Sequence, residues 1–251
     1  WVHECITRFP LRYSDFNIGK HVRTDEESQR YIRDWVGTAK GDWCQYVAKD
    51  VDKIIAGLYE YWACYQPIFP EKTVFCPFPI IPSHTTYHPF DGKLHLFIGI
   101  NKTRNRYKGT DIMLKAAQKI VENYPEKADL QVAESVPFED YVKMMGKSDV
   151  ILDQLYSYTP SMNPLEAMNQ GLICVGGGEP ENYDIINEHE LRPIINVELN
   201  ESSVYQALYE LILHPERINT LKRESMAYIK RHHDYINVAQ KYIAFYEQLD
   251  H

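Results

Sequence analysis

Four basic side chains, Lys102, Arg104, Arg106 and Lys108, fall in one short stretch between an apolar run, Leu94–Ile100, and a helical repeat that begins at Gly109. The whole chain carries 27 Lys and Arg against 35 Asp and Glu, a net charge of −8. A concentrated positive loop in an acidic chain marks a place where an anion is to be held. Arginine meets phosphate oxygens with a planar fork and lysine as a point charge, so the chemistry in view is neutralisation of a phosphate or diphosphate. Taken alone, the same run could also be a solvated basic loop.

A second group lies in residues 156–184, YSYTPSMNPLEAMNQGLICVGGGEPENYD. Ser161 or Asn163 is placed to cap a helix with Pro164 at its first position. The backbone N–H groups around Met162–Leu165 would then be free to cradle a phosphate. Glu166, expected in that first turn, suits the helix dipole and can accept hydrogen bonds from sugar or ribose hydroxyls. Gly176, Gly177 and Gly178 follow an apolar run and allow either a close approach or only a tight turn. They do not form GxGxxG, and GxxxxGK[ST] occurs nowhere. His3, beside Glu4 at the end of a candidate strand Trp1–Cys5, offers an imidazole for acid or base work. His232, His233 and Asp234 lack metal-ligand spacing and read as structural, and no metal site is expected. HExxH, GxSxG and Cys–His signatures are missing from the sequence.

These groups need elements to place them. The chain has 251 residues, one large domain or two small ones at roughly 150 residues each. Residues 77–92, PFPIIPSHTTYHPFDG, hold four prolines and forbid a regular element. The spacing beyond them predicts strands at 94–100, 129–133, 149–153, 172–175 and 193–197. It predicts helices at 109–124, 138–146 (opened by Pro137 at its first position), 163–170, 181–188, 202–213, 215–231 and 236–249. Strands alternating with helices imply an α/β doubly wound, Rossmann-like parallel sheet, whose ligands bind at the carboxyl ends of the strands. Before residue 90 the pattern is sparser: a helix at 25–40 capped by Thr24, and strands at 53–56 and 73–75 around a helix near 58–66.

Composition narrows the class. Net acidity argues against a nucleic-acid partner. Five scattered cysteines argue for reduced thiols in a cytoplasm. No apolar stretch long enough to cross a membrane is visible, nor a signal peptide. Nineteen tyrosines suit flat ligands such as bases and sugars.

The order of apolar strand, basic loop ending in Lys108-Gly109, amphipathic helix, Asp149-Val-Ile-Leu and Pro164-Leu-Glu-Ala-Met-Asn-Gln-Gly171 resembles the C-terminal half of GT-B glycosyltransferases. The likeness is nearest to the large retaining family 4 ("glycosyl transferases group 1") with its LEAMAxG-type motif. It covers roughly residues 50–251 and is strongest over 94–178. The resemblance implies a partial N-terminal, acceptor-side Rossmann-like domain with linker (1–90), a nucleotide-sugar-binding domain (91–232) and a helix crossing back to the first domain (233–251). It implies a chain that begins inside its acceptor domain. It implies sugar transfer with retention from a UDP- or GDP-type donor, no metal and no separate cofactor. The acceptor would be a saccharide or lipid-linked, in the cytoplasm or at the inner face of the membrane, as in polysaccharide biosynthesis. By position, Lys108 would meet the donor diphosphate, Glu166 the ribose hydroxyls, and Ser161, Met162, Asn163, Pro164 and Leu165 the phosphates at the helix start. His3 would face the reacting sugar. Thr103 stands where the family has an Arg, so Arg104 or Arg106 must substitute. Tyr158 stands where the family has a Glu touching the transferred sugar, and SYTPSMN replaces a Gly-rich stretch. Two other readings fit the same fold: a non-catalytic nucleotide-sugar-binding relative, and a nucleotide-sugar epimerase.

Overall fold

The structure is a computed structural model that describes residues 37–82 and 87–249, with Glu26, Arg30, Arg33 and Asp34. Its first elements are α1 (Ala39–Asp50), β1 (Ile54–Ala56), α2 (Tyr59–Tyr65) and β2 (Thr73–Phe75). β1 and β2 pair in parallel, Ile54 opposite Thr73. The sequence places a helix at 25–40; of that range Glu26, Arg30 and Arg33 are helical, Asp34, Gly37 and Thr38 lie in turn or bend, and α1 starts at Ala39 and runs on to Asp50. Residues 1–25, which include Thr24 and the expected strand at 1–5, lie outside the described residues.

The linker prolines do their work over 76–93, where the described residues form no strand beyond one bridge, Ile80 to Asp234. Asp234 also caps the last helix, accepting from the Ile236 and Asn237 N–H groups. Burial pushes the neighbouring His233 down to about 4. It is therefore neutral at pH 7, and its Nδ1–H can donate to the Phe78 carbonyl, 2.9 Å away. The linker is thus tied to the end of the chain by structural contacts.

Beyond the linker run β3 (Leu94–Ile100), a helical turn α3 (Asn105–Lys108), α4 (Thr110–Asn123), β4 (Ala128–Glu134), α5 (Phe138–Met145), β5 (Val150–Leu152) and α6 (Met162–Asn169). Then come β6 (Ile173–Gly176), α7 (Pro180–Asp184), β7 (Ile195–Asn196), α8 (Glu201–Leu213), α9 (Ile218–His232) and α10 (Tyr235–Glu247). The five strands form one parallel sheet in the order β4-β3-β5-β6-β7. A parallel sheet needs helical cover on both faces, and its strands must be apolar on both. Leu94, Leu96 and Ile98 meet Met113 and Ile120 of α4 and Leu208 of α8 on one face. Phe97, Ile151 and Cys174 meet Leu165, Met168 and Tyr228 on the other.

Several boundaries differ from the sequence expectations. Pro137 is the N-cap of α5, in extended backbone, and not its first helical residue. α7 ends at Asp184, four residues short of the expected stop, because Asn187 turns into positive φ. A 3-10 turn at Pro215–Arg217 precedes α9. β7 is only two residues long. The strand order reverses between β3 and β5, since β4 lies on one side of β3 and β5 to β7 on the other. Ligands of such sheets enter the crevice outside the carboxyl ends at that reversal.

Candidate functional site at the sheet reversal

The chain leaving β3 and the chain leaving β5 meet above this crevice. The basic stretch is the one that leaves β3. It does not hang as an open loop, because α3 folds it into a helical turn ending at Lys108. Gly109 follows at φ +73, a left-handed conformation that favours glycine. A Cβ there would also stand 2.6 Å from the Leu155 Cβ. The Leu155 N–H donates to the Lys108 carbonyl at 2.8 Å. The basic turn is therefore docked against the segment after β5, and Lys108 is half-buried at the seam.

Asp153 directly follows β5 and is buried beside Lys108. Burial pushes its carboxyl up to about 6, while the Lys108 charge and the Gln154 N–H pull the other way. Gly99 leaves room for the Tyr141 hydroxyl, which a Cβ would approach to 2.5 Å. Burial raises Tyr141 to about 12, against the effect of a hydrogen bond with Asn163. Tyr141 thereby links β3 to the start of α6. Cys174, buried beneath Asp153, is pushed up by burial and then by that carboxylate.

α6 begins at Met162, with Ser161 as its N-cap in extended backbone and no side-chain cap bond. The expected start at Pro164 is corrected by two residues. Pro164 is the third helical residue and has no N–H, and the Leu165 N–H already donates to the Ser161 carbonyl. The amides left for an anion are those of Met162 and Asn163. Leu165 points into the core, so only its backbone belongs to the helix start. The same shift moves Glu166 from the first turn to the beginning of the second. Its carboxylate accepts from Gln170 Nε2, 2.9 Å away on the next turn of the helix. Arg104 and Arg106 are exposed on the basic turn, and Lys102 faces Glu134 at 3.4 Å.

Tyr158 is 3% exposed. Its ring packs on Tyr59, with centroids 5.8 Å apart, and beside Cys64. Its N–H donates to Glu60 at 2.6 Å, and its carbonyl accepts from the Glu179 N–H at 3.2 Å. Gly177 lies directly against this turn: a Cβ there would be 1.9 Å from the Ser157 carbonyl oxygen. The glycine run is thus a close-approach loop at Gly177, while at Gly176 the nearest atom is 3.4 Å away. His3 lies outside the described residues.

Asp153, Tyr141 and Glu60 escaped the sequence reading. Asp153 had a signal, a charged residue closing the apolar run VIL. Glu60 had a fainter one, a carboxylate inside the aromatic run YEYW. Nothing local marks Tyr141.

At the opposite, amino-terminal edge of the sheet lies a cavity of about 340 Å³ lined by His88, Asp91, His95, Lys147, Asp149 and Lys222 among others. Several of these side chains are engaged in ion pairs or hydrogen bonds. Lys222 Nζ meets Asp149 at 2.6 Å, and His95 Nδ1 meets Asp129 at 2.9 Å. Among the described residues no three His, Cys, Asp or Glu side chains come together to hold a metal ion. No described helix is long and apolar enough to cross a membrane.

No protein-family model matches the sequence, and no curated protein matches it. Solved structures do. A TarM variant from S. aureus, in complex with fondaparinux, alpha-GlcNAc-glycerol and UDP, superposes with a TM-score of 0.63 at 10% identity, over 83% of this chain and 46% of TarM. Anabaena HepE in complex with UDP gives 0.61 at 12% identity, over 81% of this chain and 66% of HepE. WaaG, a glycosyltransferase involved in lipopolysaccharide biosynthesis, gives 0.60 at 12% identity, over 85% and 70%. The chain spans about half the length of TarM and two thirds of HepE. Over the stretch they share, this chain has the fold of the GT-B glycosyltransferases.

Proposed function

We propose that this chain supplies the nucleotide-sugar-binding half of a glycosyltransferase, EC 2.4 in type, and that the donor diphosphate lies between Lys108 and the start of α6. The observation that carries the reading is the docking of the basic turn on the segment that leads from β5 into α6, through the Leu155 N–H bond to the Lys108 carbonyl at 2.8 Å. The basic turn leaves β3, the open amides of Met162 and Asn163 leave the β5 segment, and Glu166 stands one turn further along α6. The fold shared with HepE and TarM, both solved with UDP, supports a UDP-type donor.

In this reading the leaving diphosphate is stabilised by Lys108, by Arg104 or Arg106, and by helix N–H groups, without a metal. Fixed cations and dipoles aimed at developing charge do this work without reorganising. Glu166 accepts from the ribose hydroxyls once it exchanges its Gln170 contact for the ligand. Transfer with retention, a family 4-like relationship, and a saccharide or lipid-linked acceptor at the inner face of the membrane belong to the same proposal. The catalytic role of His3 does too. A non-catalytic nucleotide-sugar binder is the second reading. It is favoured by Tyr158, whose ring is packed away against Tyr59 and Cys64.

Calorimetric titration with UDP and GDP tests the site. One of them should bind, and Lys108→Met should weaken that binding by about tenfold or more, as expected for a lost charge-assisted contact. The loss should shrink as salt rises. Unchanged affinity in Lys108→Met would overturn the placement of the diphosphate. Transfer or hydrolysis of the bound sugar nucleotide then separates an enzyme from a binder. An altered nucleotide sugar formed without acceptor would indicate the epimerase.

A further inference from the structure

We infer that Glu60, a residue of the N-terminal half, is a positioning residue for the donor site: it holds the turn 157–160 and, through it, the two open amides at the start of α6. This rests on the donor-site reading above.

Glu60 is the second residue of α2 and is 3% exposed. A buried carboxylate must be hydrogen-bonded, and here the donors come from 97 to 99 residues further along the chain. Oε1 accepts from the Tyr158 N–H at 2.6 Å and the Thr159 N–H at 3.0 Å. It also lies 3.0 Å from the Ser157 hydroxyl, whose single proton is shared with the Thr159 carbonyl at 2.5 Å. Oε2 accepts from the Thr159 hydroxyl at 2.6 Å. One side chain thus binds every residue from 157 to 159. The opposite side of the turn is closed by Gly177 and by the Glu179 N–H.

Only Pro160 and Ser161 separate Thr159 from Met162. Proline has a fixed φ and transmits the position of Thr159 to the helix start with little slack. The Gly-rich stretch usual here would leave the turn loose. In this chain SYTPSMN fills the place, and its backbone is fixed by Glu60 instead. Tyr158 takes part as well, since its ring packs against α2 and its N–H reaches the same carboxylate.

The assignment makes a test whose sign discriminates. A carboxylate near a diphosphate site repels the ligand, so electrostatics alone would make its removal tighten binding. Positioning predicts the reverse. By titration with UDP and GDP, Glu60→Ala should weaken the nucleotide that the wild-type chain binds by about tenfold or more, because binding must then order the turn. Glu60→Gln should stay within about threefold, since its amide oxygen still accepts both N–H groups and its NH₂ can donate to the Thr159 hydroxyl. A purely structural role would lower the melting temperature of Glu60→Ala and leave the folded protein's affinity alone. Unchanged or tighter binding in Glu60→Ala overturns the inference. Should that variant not fold, Ser157→Ala combined with Thr159→Val removes both hydroxyl donors and keeps the amides. It should weaken binding by about threefold or more, and an unchanged constant overturns the inference equally. A wild-type chain that binds neither nucleotide refutes the donor-site reading itself. A wild-type chain that binds, with variants that bind as well, refutes only the role of Glu60.

Discussion

Gly177→Ala is the substitution whose effect follows most directly from the geometry. The added Cβ would stand 1.9 Å from the Ser157 carbonyl oxygen and 2.6 Å from its carbonyl carbon. Real Cβ contacts stay beyond 3.0 Å, so the two chains must part by about 1.1 Å. The atom struck is backbone, and no rotamer change can relieve it. The turn 157–160 is held by Glu60 on its far side, so relief comes either by breaking those bonds or by shifting the glycine run off β6. Overpacking of this kind costs about 1–3 kcal/mol of stability. A displacement near 1 Å at a binding constellation costs on the order of 100-fold in function. Gly176→Ala is the internal control, because its Cβ would meet the Gln154 carbonyl oxygen at an ordinary 3.4 Å. The assay is titration with UDP and GDP on both variants, with thermal unfolding in parallel. Gly177→Ala should lose most of its nucleotide affinity while Gly176→Ala keeps it. Equal affinities in the two variants, or a loss confined to Gly176→Ala, would refute the claim that this contact sets the donor turn.

Two further outcomes concern charge. The Asp153 carboxyl, held up to about 6 from an ordinary 3.8, keeps its proton in the folded chain over a window where the unfolded chain has lost it. The contribution of Asp153 to stability therefore falls as pH rises from about 3.8 to about 6, by up to about 3 kcal/mol, and stays lowered above that. Asp153→Asn should be more stable than the wild type in urea at pH 7.5 and little different at pH 3.5; an equal gain at both would contradict the burial argument. At the other edge of the sheet, Lys222 and Asp149 form an ion pair with side chains 2% and 6% exposed. Lys222→Met should lose about 3–5 kcal/mol by stranding a buried carboxylate, and adding Asp149→Leu should recover much of it. A single variant as stable as the wild type would show that the pair is dispensable.

Much of the doubly wound sheet was legible in the sequence. Leu94–Ile100 reads as a strand because its even positions must face one helical layer and Phe97 the other, which demands apolar side chains on both faces. The helix at 110–123 reads from its 3.6-residue repeat and from Gly109 and Pro125 at its ends. Short elements were less legible. Two residues of β7 carry no period, and Pro164 leaves the start of α6 open because it suits the first turn at more than one position.

By itself the sequence determined which residues could neutralise a diphosphate, where the linker falls, and that strands and helices alternate, since charge, proline and periodicity are local properties. Tertiary structure alone decided that β3 and β5 are neighbours at the reversal, which brings Lys108 to Asp153 and docks the basic turn on Leu155 in the segment after β5. It also decided that the Tyr158 ring packs on Tyr59 and that Glu60, nearly 100 residues earlier, binds the backbone of the same turn. Such pairings depend on strand order and on the burial of a carboxylate against distant N–H groups, and no spacing along the chain encodes them.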